Sequence, residues 1–236
     1  MKSLVIIPTY NEKENVEAIT TAVINATDSN VHVLVVDDNS PDGTGQIVRE
    51  LIEKSGGDQS RLKLLSRPGK QGLGRAYIAA FRWGLERGYD TLVEMDADFS
   101  HRPEDLVQIL KAVSTTDFAV GSRYVDGGRT VNWGLMRKII SRGGSLYARM
   151  ILGYPLRDWT GGFNAWKRNV LETIGLDQVR SEGYSFQIEL KYRSLKCKFK
   201  GVEVPIVFED RRVGKSKMSS RIVIEAFTRV WGMRFQ

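Results

Sequence analysis

Residues 90–104 read DTLVEMDADFSHRPE, and the fold is decided in this stretch. Its first half is an apolar run with β-branched residues, the pattern of a buried strand. Its second half places Asp96 and Asp98 one residue apart. In extended backbone the side chains at i and i+2 share a face. At the fraying carboxyl end of a strand, both carboxylates therefore point at one ligand outside the sheet. Residues 100–104 open a helix: Pro103 suits the first turn, and Glu104 and Asp105 complement its positive end. Leu106, Ile109, Leu110 and Val113 supply the apolar stripe of that helix. Strand, acidic pair, turn and helix is how an open α/β sheet presents ligand groups at its crevice. Two aspartates suit a hard divalent cation bound to a phosphate, because such ions take oxygen ligands. A D-x-D pair is also what an ordinary solvated loop contains, so the rest of the chain carries the decision.

Towards the N-terminus the same rhythm repeats. Residues 2–8 form a short buried-type strand ending in PTYNE, and Val16, Ile19, Val23 and Ile24 mark the helix after it. Residues 31–36 are a second all-apolar strand, which argues for parallel pairing with both faces covered. It runs into DDNSPDG at 37–43, a turn dense in acids, and then into a helix carrying Ile47, Val48, Leu51 and Ile52. A third strand spans 62–65. RPGKQGLGRA, residues 67–76, lacks the hydroxyl residue of a Walker A loop and the glycine order of a dinucleotide fingerprint. It reads as a glycine-rich entry to a helix over 76–87. A fifth strand at 118–120 ends in GSRY. Alternating strands and helices make this an α/β chain with an open, mainly parallel sheet flanked by helices.

Beyond Gly121 the pattern changes. Residues 133–152 read as one long helix, weakened at Gly143–Gly144, with Leu135, Met136, Ile139, Ile140, Leu146, Tyr147, Met150 and Ile151 along one side. Arg137, Lys138, Arg142 and Arg149 lie elsewhere on it. DWTGGF, 158–163, gives a tight turn and 184–195 another helix. Val202, Val204, Ile206 and Phe208 alternate as one strand, which Pro205 places at an edge. DRRVGKSKMSSR at 210–221 is a very basic tail, followed by an amphipathic segment through Val223, Phe227, Val230 and Trp231.

The 236 residues suffice for one domain with a sizeable core, and 42% hydrophobic with 27% charged residues is ordinary for a soluble globular chain. No apolar run approaches the ~20 residues a membrane-spanning helix needs. The single cysteine, Cys197, rules out an internal disulfide, fits a reducing compartment and reads as a plain structural thiol. Residues 1–120 hold 13 Lys and Arg against 18 Asp and Glu, whereas residues 121–236 hold 22 against 10. The acidic first half and basic second half point to an anionic partner for the latter: phosphates, nucleic acid or a membrane surface.

Taken in order, PTYNE, VVDDNSPDGT, MDADFSH, GSRY, TGGF and R-x-x-G-x-S-K at 211–217 resemble the inverting nucleotide-sugar glycosyltransferases of family 2. Within that family the chain is similar to the polyprenyl (dolichyl) phosphate mannose synthases, in the short form without transmembrane helices. VVDDNSPDGT together with RKIISRG and GKSK is the specific part of the match. The resemblance implies a GT-A fold of Rossmann-like type in a single catalytic domain over 1–236. Residues 1–122 would be its nucleotide-binding half and 123–236 its acceptor-binding half. It further implies GDP-mannose as donor, a polyprenyl or dolichyl phosphate as acceptor, and Mg²⁺ or Mn²⁺. Carried over position by position, Pro8, Tyr10, Glu12 and Asp38 would hold the guanosine. Asp96 and Asp98 would face metal and diphosphate, with Ser100 near the same ion. Arg123, Arg137 and Ser141 would receive the acceptor phosphate, and Arg211 and Lys217 the donor diphosphate. Asp98, Arg123 and Arg137 would carry the catalysis. The implied location is the cytoplasm, peripheral on the cytoplasmic face of a membrane, reached directly or through a membrane partner subunit.

Elementary chemistry supports that assignment. Breaking a sugar–diphosphate bond leaves negative charge on the departing phosphate, which a divalent ion and nearby cations stabilise. An acceptor phosphate is already an anion near neutral pH, so no strong general base is required. His101, beside the acidic pair, is accordingly expected at the surface or supporting the pair rather than as a base. Three other readings compete. A nucleic-acid binder would use the basic half, but no reading module is present. A metal-dependent nucleotidyltransferase would also use paired aspartates. A related family 2 enzyme would use UDP-glucose.

Overall fold

The aliphatic runs at 3–9, 31–37 and 91–94 become strands because apolar side chains on both faces meet covering helices. The computed structural model describes residues 1–210 and 229–235. In order, its elements are β1 (Ser3–Thr9), α1 (Val16–Ala26), β2 (Val31–Asp37), α2 (Thr44–Lys54), β3 (Leu62–Ser66), α3 (Leu73–Glu86), β4 (Thr91–Glu94), α4 (Pro103–Thr115) and β5 (Phe118–Ser122). These continue with β6 (Arg129–Val131), α5 (Leu135–Leu152), β7 (Asn164–Lys167), α6 (Arg168–Thr173), α7 (Gly183–Lys196), β8 (Gly201–Pro205) and β9 (Val207–Glu209). Seven strands form one sheet in the order β3-β2-β1-β4-β7-β5-β8. Only β7 is antiparallel to its neighbours, β4 and β5; β1 pairs parallel with β2 and β4.

Alternation within each strand divides the core into two layers. Val5, Ile7, Val33, Val35 and Val93 pack against α1, α2 and α4 through Ile19, Val48 and Ile109. Leu4, Ile6, Leu34, Val36 and Leu92 pack against α3, α6 and α7 through Phe81, Val170 and Phe186. Burial on both faces is why these strands read as continuous apolar runs.

Several boundaries differ from the sequence reading. The helix expected over 76–87 begins at Leu73, behind Gly72, whose φ of 100° favours glycine. The long helix starts at Leu135 and runs unbroken through Gly143 and Gly144. The strand expected through 202–208 is two: β8 is the sheet's last strand, with Pro205 at that edge, while β9 pairs with β6 in a separate ribbon. Cys197 is exposed at the end of α7, so it is no part of the core.

The apolar stripe of α5 does not pack on the sheet. Leu135, Met136 and Met150 are 75%, 68% and 67% exposed, and Ile139 and Leu146 are more than half exposed. The face turned inward carries the smaller Ser145 and Ala148 together with Leu152. At about 3.6 residues per turn, Lys138, Arg142 and Arg149 fall on one flank of the exposed stripe. Tyr147 and Ile151, expected in that stripe, instead pack on a third cluster with Trp159, Ile188, Val230 and Met233. Among the described residues, no helix is long and apolar enough to cross a membrane.

Candidate active site

The strand ends converge on one cleft of about 390 Å³. In chain order, Pro8, Tyr10, Glu12, Asp38, Asp96, Asp98, Ser100, Arg123, Arg137 and Ser141 all line it. Every expected site residue within the described part of the chain is therefore in one place. Arg211 and Lys217 lie outside the described residues.

The part of the cleft lined by Pro8, Tyr10, Glu12 and Asp38 is built by local turns. Asp37 accepts hydrogen bonds from Ser40 N–H and Oγ (3.1 and 2.6 Å), and Asp42 from Thr44 N–H and Oγ1 (3.0 and 2.6 Å). Two of the three acids in the DDNSPDG turn are thus spent on its own geometry, and Asp38 is the one that reaches the cleft. Asp38 pairs with Arg67, both nearly buried, a partner the sequence reading missed. Lys70, from the glycine-rich entry to α3, lies 4.5 Å over the Tyr10 ring.

The acidic pair sits past the end of β4, not on it. Strand pairing stops at Glu94, and Phe99 takes a φ of 61°, folding the chain back so that Ser100 N–H donates to Asp98 Oδ1 at 3.1 Å. Both carboxylates still line the cleft. Ser100 Oγ is buried without a hydrogen-bond partner among the described residues. Among the described residues, no group of three or more His, Cys, Asp and Glu side chains is arranged to hold a metal ion by itself. Two carboxylates and an orphaned hydroxyl form an all-oxygen donor set, which fits Mg²⁺ or Mn²⁺ with further oxygens from a ligand.

His101 is not at the surface: it is buried, stacked on Phe163 at 4.6 Å. Its Nδ1 accepts the Asp96 backbone N–H at 3.0 Å. Burial lowers its pKa to about 4, so the ring is neutral near pH 7 with its proton on Nε2. It thus contacts the backbone of the segment that carries the acidic pair.

The other end of the cleft is built by long-range ion pairing. Arg123, at the end of β5, donates from Nε and Nη2 to the two oxygens of buried Asp158, both at 2.7 Å, and from Nη2 to Thr160 Oγ1 at 2.9 Å. Burial alone would lower the arginine's pKa, but Asp158 more than offsets it and the net direction is upward. Burial would likewise raise Asp158, and Arg123 with Lys191 pulls it below the carboxylate range. Arg137, on α5, donates to Asp210 at 2.6 Å. Both guanidinium groups lie over the Trp133 ring, that of Arg123 at 5.4 Å from its centroid and that of Arg137 at 4.2 Å. Ser141 Oγ accepts from the Tyr124 hydroxyl at 2.8 Å. Asp158 and Thr160 fall in the DWTGGF turn, where the only sequence signal was an acid and a hydroxyl before two glycines.

Residues 4–175 match the model of glycosyl transferase family 2. The chain is 49% identical over 236 residues to the polyprenol monophosphomannose synthase of Mycolicibacterium smegmatis, covering 99% of this chain and 88% of the relative. It is 48% identical over 235 residues to the undecaprenyl-phosphate mannosyltransferase of Micrococcus luteus, covering 99% and 95%. A mannosyltransferase from Pyrobaculum calidifontis, solved in complex with GDP-Man and Mn²⁺, superposes with a TM-score of 0.60 at 20% identity over 91% of this chain and 58% of that one. At that identity the likeness is one of fold, the GT-A arrangement of a mainly parallel sheet flanked by helices.

Proposed function

The chain belongs to glycosyl transferase family 2, and on that premise we propose that it moves mannose from GDP-mannose to a polyprenyl phosphate. The observation that carries this reading is that an acidic pair, Asp96 and Asp98, and two arginines, Arg123 and Arg137, line one and the same cavity. A phosphate oxygen of the acceptor attacks the anomeric carbon as the bond from that carbon to the diphosphate breaks. The GDP leaves with the electron pair, and the anomeric configuration inverts.

Each end of the cleft has a distinct task. Pro8, Tyr10, Glu12 and Asp38 hold the guanosine, and Arg67 fixes the Asp38 carboxylate. Asp96 and Asp98, with Ser100 near them, hold Mg²⁺ or Mn²⁺, which supplies positive charge to the leaving diphosphate. Arg123, Arg137 and Ser141 hold the acceptor phosphate, while Arg211 and Lys217 meet the donor diphosphate. Residues 1–122 are on this reading the donor half and residues 123–236 the acceptor half. No base is needed, in keeping with a neutral His101 whose Nδ1 is already occupied.

The same reading gives α5 two roles. Its inner end bears Arg137 and Ser141 on the cleft, and its outer stripe suits the headgroup level of a bilayer, flanked by cations for anionic lipids. The enzyme then works peripherally on the cytoplasmic face. Purified protein with labelled GDP-mannose or UDP-glucose, polyprenyl phosphate and Mg²⁺ or Mn²⁺, followed by lipid extraction, tests the proposal. Label should reach the lipid from GDP-mannose; transfer from UDP-glucose alone would assign the donor differently.

A further inference from the structure

Behind the arginine pair lies a buried cation that the reaction scheme leaves unused. Lys191, in α7, is fully buried. Its Nζ donates to three backbone carbonyls of one loop: Asp158 and Trp159, both at 3.1 Å, and Gly161 at 2.8 Å. An ammonium has three N–H donors and no acceptor, so three carbonyls match it completely. A buried charge without such partners would be strongly unfavourable. The same loop is gripped elsewhere: Glu203 accepts the N–H groups of Arg157 and Asp158, both at 2.8 Å, and Ser145 Oγ that of Trp159 at 3.2 Å. Asp158 and Thr160, projecting from this loop, are the partners of Arg123.

We propose that Lys191 is a positioning residue for the acceptor phosphate, acting through the 158–161 loop. By pinning three carbonyls it fixes Asp158 and Thr160, and through them the Arg123 guanidinium. The inference rests on the reading that Arg123 receives the acceptor. A displacement of about 1 Å in such a group is enough to cost on the order of a hundredfold in rate.

The charge state of Lys191 offers a second handle. Asp158, Glu94 and Glu203 face it and favour its charged form; Arg123 faces it and opposes that form. Burial is the largest effect and brings its pKa down from 10.5 to about 8. A neutral amine keeps two N–H donors and turns a lone pair towards the third carbonyl. Above pH 8 the loop therefore loosens and acceptor affinity falls. Stability moves the other way. Between pH 8 and 10.5 the unfolded chain binds more protons at this residue than the folded one, so its contribution to stability rises with pH. A residue that merely staples the core would not separate the two.

Initial-rate kinetics of the full chain in each substrate, with thermal melting, test this. Lys191→Met should raise the acceptor KM roughly 10- to 100-fold while the GDP-mannose KM stays within about twofold. It should also abolish the rise in acceptor KM expected of the wild type above pH 8. Parallel increases in both KM values, or an unchanged acceptor KM in a folded variant, would overturn the proposal. Should Lys191→Met not fold, Glu203→Gln loosens the same loop from a partly exposed position and should weaken the acceptor alone. No acceptor shift in that variant, and none in wild type above pH 8, would likewise reject it. Arg123→Lys separates the two layers of the argument: an unchanged acceptor KM there removes the underlying reading of the cleft.

Discussion

The two ends of the cleft are built in different ways. At the end proposed to hold the nucleotide, the turns are closed by residues a few positions apart: Asp37 with Ser40, Asp42 with Thr44, Asp98 with Ser100. At the end proposed to take the acceptor, the charged side chains are fixed across long stretches of chain: Arg123 with Asp158, Asp158 with Glu203, Arg137 with Asp210. Local turns hold their shape through hydrogen bonds within the loop itself. The acceptor end depends on buried charges whose loss leaves a partner uncompensated. The donor end should therefore lose chemistry when altered, and the acceptor end should lose chemistry and stability together.

Asp158→Ala should break this comparison most visibly. It leaves Arg123 buried and unpaired, at a cost of about 3–5 kcal/mol, so a clear fall in melting temperature should accompany the loss of acceptor binding. A variant as stable as wild type would show that Arg123 finds water or another partner. Asp98→Asn comes next, on the opposite side: activity should drop ~10²-fold or more, the scale of a main electrostatic stabiliser, with the melting temperature nearly unchanged. Full activity of that variant in the presence of a chelator would end the metal assignment. Replacing Ile139 and Leu146 with Ser removes exposed apolar surface worth roughly 1.5–3 kcal/mol per side chain when buried. Flotation on anionic vesicles should weaken while the fold persists, and high salt should release the wild type. Absence of wild-type flotation at low salt would point to a membrane partner instead. Ser141→Ala should give the smallest change, about 1 kcal/mol, read as a few-fold rise in acceptor KM.

Much of this was legible from residue order. The alternation of apolar runs and periodic segments showed the strands β1 to β5, and the ends of the first, second, fourth and fifth carried residues that line the cleft. What escaped was of one kind. NAWK, residues 164–167, is too short to show a pattern, yet it enters the sheet antiparallel between β4 and β5, where Trp166 stacks on Phe118 at 5.2 Å. One alternating run was divided between two sheets because β9 found β6. Lys191 sits in a helix that reads as ordinary, and its importance lies in a loop 30 positions earlier.

The amino-acid sequence by itself determined the α/β class, the acidic pair beyond the fourth strand, the arginines of the second half and the amphipathic character of α5. Those properties are written in spacing and residue type, because strand and helix periods and short turns are local. Only the tertiary structure decided that the large apolar side chains of α5 face outward while Ser145 and Ala148 face in. Only it decided, too, that Arg67 answers Asp38, that Asp158 answers Arg123 and that Lys191 secures the loop between them. A buried charge must find its counterpart wherever the folded chain delivers one, and sequence separation places no limit on that search.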